Sequence, residues 1–180
     1  VMMAPLTLGG AVLNNDQWDG YPADRQRIYN HILNNDIDDV VVLTGDIHTS
    51  WANNLEDNGT SVAVEFVTTS VTSSSDAVPS FITPAIIYST LPHVQYVDLV
   101  RRGYYVLDIT PTKTQADFYY INTINTIDAT TVYETSWQVN STTRTLSQGT
   151  ESHAGDTATA VVQPVFNGGP DELLIMGAYP

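Results

Sequence analysis

Val40-Val41-Val42-Leu43-Thr44-Gly45-Asp46-Ile47-His48 is the stretch that decides the fold. Its first five residues are apolar or β-branched and do not alternate with polar ones, the pattern of a strand buried on both faces of a sheet. The run ends on a glycine, a carboxylate and an imidazole. In open α/β sheets the carboxyl ends of the strands are where ligands collect. Asp46 and His48 are two apart, so a continuing extended backbone would send both side chains from one face. Such a pair can bind one metal ion or bridge two, and Gly45 lets the backbone approach closely. The competing interpretation is a turn capped by Asp46 and followed by an ordinary loop histidine.

Working upstream, Pro22 suits the first turn of a helix, where its missing N–H costs nothing, and Asp24 favours that positive end. Ile28, Ile32 and Leu33 form an apolar stripe at helical spacing, and Asn34-Asn35 is a stop. Helix followed by buried strand is the half-unit of an α/β layered fold. Residues 1–13 are apolar with a Gly9-Gly10 break, expected to finish a buried strand and enter a loop. Val1-Met2-Met3-Ala4-Pro5-Leu6 lacks the basic flank of a signal peptide and reads as a beginning in mid-domain.

Downstream, residues 62–67 read as a strand and 68–76 as a Ser/Thr-rich loop. A short helix is expected over 81–88 after Pro79. Residues 103–110 and 115–122 read as paired strands around the turn Pro111-Thr112-Lys113, and 131–140 as a further strand. Composition turns polar over 146–156, and Asn167-Gly168-Gly169-Pro170 breaks the chain again before the apolar ending 173–180. The expected division is a catalytic-type domain over 1–146 and a polar tail or linker over 147–180.

The 180 residues carry a formal charge of −14 with only six Lys and Arg. That surface repels nucleic acid and anionic lipid, and it tolerates divalent cations. With 42 % hydrophobic residues the chain has material for a core, and without cysteine it holds neither disulfide nor thiolate site. No run of about 18 apolar residues predicts a membrane helix. Abundant Asn, Ser and Thr with scarce Lys suggest an exported bacterial protein, extracellular or periplasmic. Asn58-Gly59-Thr60 and Asn140-Ser141-Thr142 match the glycosylation sequon.

Other chemistry-bearing residues stand apart from the first stretch. In Asn15-Asp16-Gln17-Trp18-Asp19-Gly20-Tyr21 two carboxylates flank an aromatic just before a helix start. Carboxylates suit hard cations and helix N-termini suit phosphate; an Asx turn with Trp18 plugging the core accounts for the same residues. Arg25 and Arg27 have forks that match phosphate oxygens, or pair with nearby Asp. His93 is a loop histidine suited to a phosphate, to a metal-bound water or to packing. Glu65 sits among apolar neighbours, so burial would demand a cation or donor partner; otherwise it faces water at an edge. Trp51, Tyr104 and Tyr105 fit core or rim positions. His31 and His153 receive no role.

In order along the chain, these segments resemble the PhoD-like alkaline phosphatases. The likeness is carried by Asn15 to Ala23 with Arg25, by Val42-Leu43-Thr44-Gly45-Asp46-Ile47-His48-Thr49-Ser50-Trp51-Ala52, and by Val62-Ala63-Val64-Glu65-Phe66-Val67-Thr68 with Ser70-Val71-Thr72-Ser73. Pro92-His93-Val94-Gln95-Tyr96-Val97-Asp98, Arg102 to Thr110 and Gln115-Ala116-Asp117-Phe118 complete it. The likeness runs to about residue 146. It implies part of a metallophosphoesterase-type four-layer α/β/β/α sandwich, here with C-terminal antiparallel strands. It implies hydrolysis of phosphate mono- or diesters by metal-bound hydroxide, with calcium and iron as cofactors. Asp46 and His48 match the last metal-ligand motif of that superfamily. Arg25 and His93 become candidates for stabilising charge on the phosphoryl group, and Asp19, Trp18 and Asp16 for substrate binding or for support of the ligands. The family's upstream ligands, a cysteine and several aspartates, are not among these residues, so a missing N-terminal half of the same domain is an expected partner. The ending Met176-Gly177-Ala178-Tyr179-Pro180 faintly resembles the start of a sorting domain. The rival functions are a phospholipase D-like activity of the same superfamily and a non-catalytic calcium-binding β-rich module.

Overall fold

The computed structural model describes residues 2–73, 81–126 and 130–152. The expected break at 167–170, the ending 173–180, His153 and the last part of the 68–76 loop lie outside them. Two four-stranded sheets carry the fold. The first is mixed and contains β3 (Val41–Thr44), β4 (Ser50–Asp57), β5 (Thr60–Val67) and β6 (Val94–Asp98) in the order β3-β5-β4-β6. β3 runs parallel to β5, with Val42 opposite Glu65 and Thr44 opposite Val67, and every other pairing is antiparallel. The second sheet, β7 (Gly103–Ile109), β8 (Lys113–Ile121), β9 (Thr131–Asn140) and β10 (Ser147–Gly149), is antiparallel throughout. Its three expected strands fall close to where the sequence places them, with Lys113 of the expected turn already in β8. β10 carries the sheet past residue 146, pairing Gln148 with Trp137.

Alternation along the strands builds two cores. Ala52, Val64 and Phe66 face the second sheet and meet Ala116, Phe118 and Tyr120. Trp51, Ala63 and Val67 face the other way, against α1 (Pro22–Asn34) and α2 (Pro84–Thr90), which contribute Tyr29, Ile32 and Ile87. The described residues thus form helix, mixed-sheet and antiparallel-sheet layers. The Tyr96 and Tyr120 hydroxyls, 2.8 Å apart, join the two sheets, and the Arg101 guanidinium lies 4.1 Å over the Tyr120 ring.

Three local expectations need correction, and one quoted dipeptide gains a structural role. β3 is not buried on both faces: its residues are half-buried and Leu43 is half exposed, because β3 is an edge strand of the described sheet. The second helix starts at Pro84, not 81; Thr83 caps it by accepting from the Ile86 amide, and Pro84 takes the first helical position. Residues 2–4 and Leu6 are buried and Pro5 is half-buried, but none joins a ladder; only Thr7–Leu8 (β1) and Ala11–Val12 (β2) pair, across Gly9-Gly10. Asn58-Gly59, quoted above for its sequon, is the tight turn of the β4–β5 hairpin, with φ of 49° and 81°. Asn-Gly is the dipeptide such turns favour, because both central residues need positive φ.

Candidate active site

The chain leaves β3 at Thr44 and does not stay extended. Asp46 has φ 79° and His48 has φ 55°, both in the left-handed region. Non-glycine residues reach that region at a cost of about 1–2 kcal/mol each, and Asp and His are among those that do so most readily. The extended backbone expected to send both side chains from one face is therefore absent, yet both residues line one cavity of about 410 Å³. Leu6, Leu13, Ile47, Trp51 and Ile87 make its walls largely apolar, and Asn14 and Gln17 add carboxamides.

Side-chain bonds fix this loop at both ends. The Thr44 hydroxyl donates to Glu65 Oε1 at 3.0 Å and the Thr68 amide donates to the Thr44 carbonyl at 3.0 Å. The Thr69 hydroxyl reaches the His48 carbonyl at 2.9 Å and the Arg101 carbonyl at 3.1 Å. Trp51 Nε1 donates to Thr49 Oγ1 at 2.6 Å. Strained backbone persists where its surroundings over-determine it, and such places cluster at functional sites.

The remaining candidates gather around residues 3–6 instead. Asp19 accepts from the Leu6 amide at 2.6 Å and from Arg25 Nη1 at 2.7 Å, and the same nitrogen reaches the Met3 carbonyl at 3.3 Å. His93 Nε2 lies 3.0 Å from the Pro5 carbonyl; a carbonyl only accepts, so the imidazole proton sits on Nε2. Burial pushes the His93 pKa down, against that hydrogen bond. Glu65 is fully buried and takes the Met3 and Ala4 amides at 2.6 and 3.0 Å, with Asn53 Nδ2 at 3.1 Å besides Thr44. Burial raises its pKa while these four bonds favour the ionised form. Of the two possibilities the sequence left for Glu65, donor partners hold, not an edge facing water.

None of Arg25, Asp19, His93, Trp18 and Asp16 lines the cavity of Asp46 and His48. Asp16 and Trp18 border a separate depression with Tyr21 and Asp24 at the start of α1. The Asp16 amide bonds Asn14 Oδ1 at 2.9 Å, an Asx-type turn, and Trp18 packs on the helix-side core. Gly20 is obligatory there, since a Cβ would fall 1.9 Å from the Asn15 carbonyl oxygen. Arg27 pairs with Asp24 on the exposed helix face.

Sequence reasoning missed Gln17 as a separate candidate. It borders both the cavity and the depression, is 4 % exposed, and its Oε1 has no hydrogen-bond partner among the described residues. Its place in the polar loop 14–21, directly before Trp18, is the only signal in the sequence. As a metal site the donor chemistry of Asp46 and His48 fits: carboxylate oxygen suits hard cations and imidazole suits first-row metals. The fit is partial, because among the described residues no three His, Cys, Asp or Glu converge, and a catalytic ion generally takes three protein ligands. No helix among these residues is long and apolar enough to cross a membrane.

Residues 1–118 match the PhoD-like phosphatase family. Alkaline phosphatase D of Bacillus subtilis (strain 168) is 38 % identical over 117 residues, covering 62 % of this chain and 20 % of that protein. A solved structure of PhoD aligns with a TM-score of 0.68 at 28 % identity, over 84 % of this chain and 30 % of that one. The chain spans about a fifth of the length of the curated relative it matches.

Proposed function

Because the chain belongs to the PhoD-like phosphatase family, we propose that it forms one wall of a metal-dependent phosphoesterase site with Asp46 and His48 as cation ligands. The observation that carries this reading is the pair of left-handed residues, just past the end of β3, that line one cavity together. Calcium for the carboxylate and iron for the imidazole are the ions proposed. When bound, such ions neutralise phosphate oxygens and activate water at mild pH. The protein's part is to hold both ligands still, so that little reorganisation accompanies the reaction. Gln17 adds an open acceptor at the cavity. Arg25, Asp19 and His93 support the wall by fixing residues 3–6, whose Leu6 borders the cavity. The substrates proposed are phosphate mono- or diesters, and the setting is outside the cytoplasm, where an acidic, lysine-poor surface tolerates calcium.

The test is an assay of the complete gene product on p-nitrophenyl phosphate and its bis-ester at alkaline pH, with calcium and iron supplied. His48→Ala runs beside it, with circular dichroism as the folding check. Turnover that falls by about a hundredfold or more in a folded His48→Ala supports the ligand assignment. The monoester-to-diester ratio then sets the substrate class, and faster turnover of phosphatidylcholine would move it to the phospholipase D type. A wild-type protein inert on all three, with both metals present, would end the phosphoesterase reading.

A further inference from the structure

We infer that Glu65 is a positioning residue for the Asp46–His48 loop, acting through the Thr44 hydroxyl. The inference rests on the loop's role proposed above, but its geometry stands by itself. A carboxylate has acceptor capacity for about four donors, and Glu65, fully buried, has four: the Met3 and Ala4 amides, Thr44 Oγ1 and Asn53 Nδ2. They come from three places, namely the irregular 3–6 segment, the last residue of β3, and the middle of β4. An apolar residue of similar size would fill the same volume but leave the Met3 and Ala4 amides without this acceptor. It would also lose a fixed direction for Thr44, two residues before Asp46. The loop that follows needs that direction, because two of its residues are held in the left-handed region. Thr69 secures the far end through the His48 carbonyl; Glu65 secures the near end.

Asp117 is the internal control. It is also fully buried and accepts from Gln115 Nε2 at 2.6 Å, Ser136 Oγ at 2.6 Å and the Ser152 amide at 2.8 Å. Those partners belong to the antiparallel sheet and its C-terminal edge, so its loss should stay there.

Hydrogen exchange on the complete gene product, followed in a peptide covering residues 43–50, tests the inference. Glu65→Gln and Thr44→Val should each speed exchange in that peptide by about tenfold, with Asp117→Asn leaving it at the wild-type rate. Thr44→Val removes only the link and decides the matter if Glu65→Gln does not fold. Unchanged exchange in a folded Thr44→Val overturns the inference, and so does an equal rise in Asp117→Asn. Calcium titration separates the two readings. If wild type binds no calcium while the loop responds to Glu65→Gln and Thr44→Val, the ligand assignment fails and the positioning role stands. If wild type binds calcium and the link variants bind it more weakly than Asp117→Asn does, both stand.

Discussion

Residues 3–6 and residues 45–49 are two irregular stretches on the helix side of the mixed sheet, and different chemistry holds each. The first has no positive φ among its residues and is clasped by charged or imidazole side chains: Arg25 on Met3, Glu65 on Met3 and Ala4, His93 on Pro5, Asp19 on Leu6. Buried backbone outside a ladder must find partners somewhere, and here side chains supply them. The second stretch is tied mainly by hydroxyls, from Thr44, Thr49 and Thr69, and carries the strained residues. The charged groups that stand out in the sequence bond residues 3–6, and Asp46 and His48, which line the cavity, sit on a strained loop beside it. Glu65 belongs to both.

The largest way to break this contrast is Arg25→Ala. It leaves Asp19, whose side chain is 4 % exposed, without its counter-ion, and the Met3 carbonyl without a donor. Removing one partner of a buried pair costs about 3 kcal/mol or more, read as a lower urea midpoint. Turnover per folded molecule should fall less than in His48→Ala. Unchanged stability with abolished turnover would put Arg25 back in the chemistry and erase the division between clasp and loop.

Thr69→Val is expected to cost less, about 1–2 kcal/mol. The hydroxyl is shared between the His48 and Arg101 carbonyls, but its single proton serves one at a time. Chemical denaturation gives the loss, and a calcium titration that weakens alongside it would show the loop end moving. Smaller again is the difference between two variants at one position. His48→Gly should exceed His48→Ala in stability by about 1 kcal/mol, since both delete the imidazole and only glycine relaxes at φ 55°. Equal stabilities would mean that the loop is not strained in solution.

Much of the frame was legible from pattern. The stripe Ile28, Ile32, Leu33 with Pro22 before it located α1, the runs on either side of Pro111-Thr112-Lys113 located β7 and β8, and the run 131–140 located β9. β4 was not legible, because Trp51-Ala52-Asn53-Asn54-Leu55-Glu56 does not read as a strand. Its asparagines are buried for reasons that lie elsewhere: Asn53 serves Glu65 and Asn54 accepts from the Leu146 amide. β6 hid in the same way, its Gln95 and Asp98 breaking a short apolar run. The apolar run of β3 implied two covered faces; sequence cannot say that it takes an edge. At the site, Gly45-Asp46-Ile47-His48 singled out two residues that line one cavity, and the extended strand expected to join them is replaced by two left-handed residues. Spacing identifies such a pair but does not determine the backbone that joins it. Nor could spacing tell that Arg25, Asp19 and His93 would meet on residues 3–6, because those contacts span up to 88 positions.

The smallest expected effect sharpens the contrast through pH. His93 is half-buried, its Nε2 proton is committed to Pro5, and burial lowers its pKa below the usual 6.5. The folded clasp therefore prefers neutral His93, and the unfolded chain takes up the proton first as pH falls. Its contribution to stability is full above about pH 6.5 and declines as pH drops toward the lower folded value. Glu65 has the opposite sign: with its pKa raised from 4.5, its contribution is full below 4.5 and is lost as pH rises through the folded value. His93→Gln keeps a donor for Pro5 and removes the titration. Its thermal midpoint, followed from about pH 8 to about pH 5, should fall less steeply than that of wild type. Parallel curves would mean that His93 is free to charge in the folded state, and the clasp would then be looser at Pro5 than its 3.0 Å contact implies.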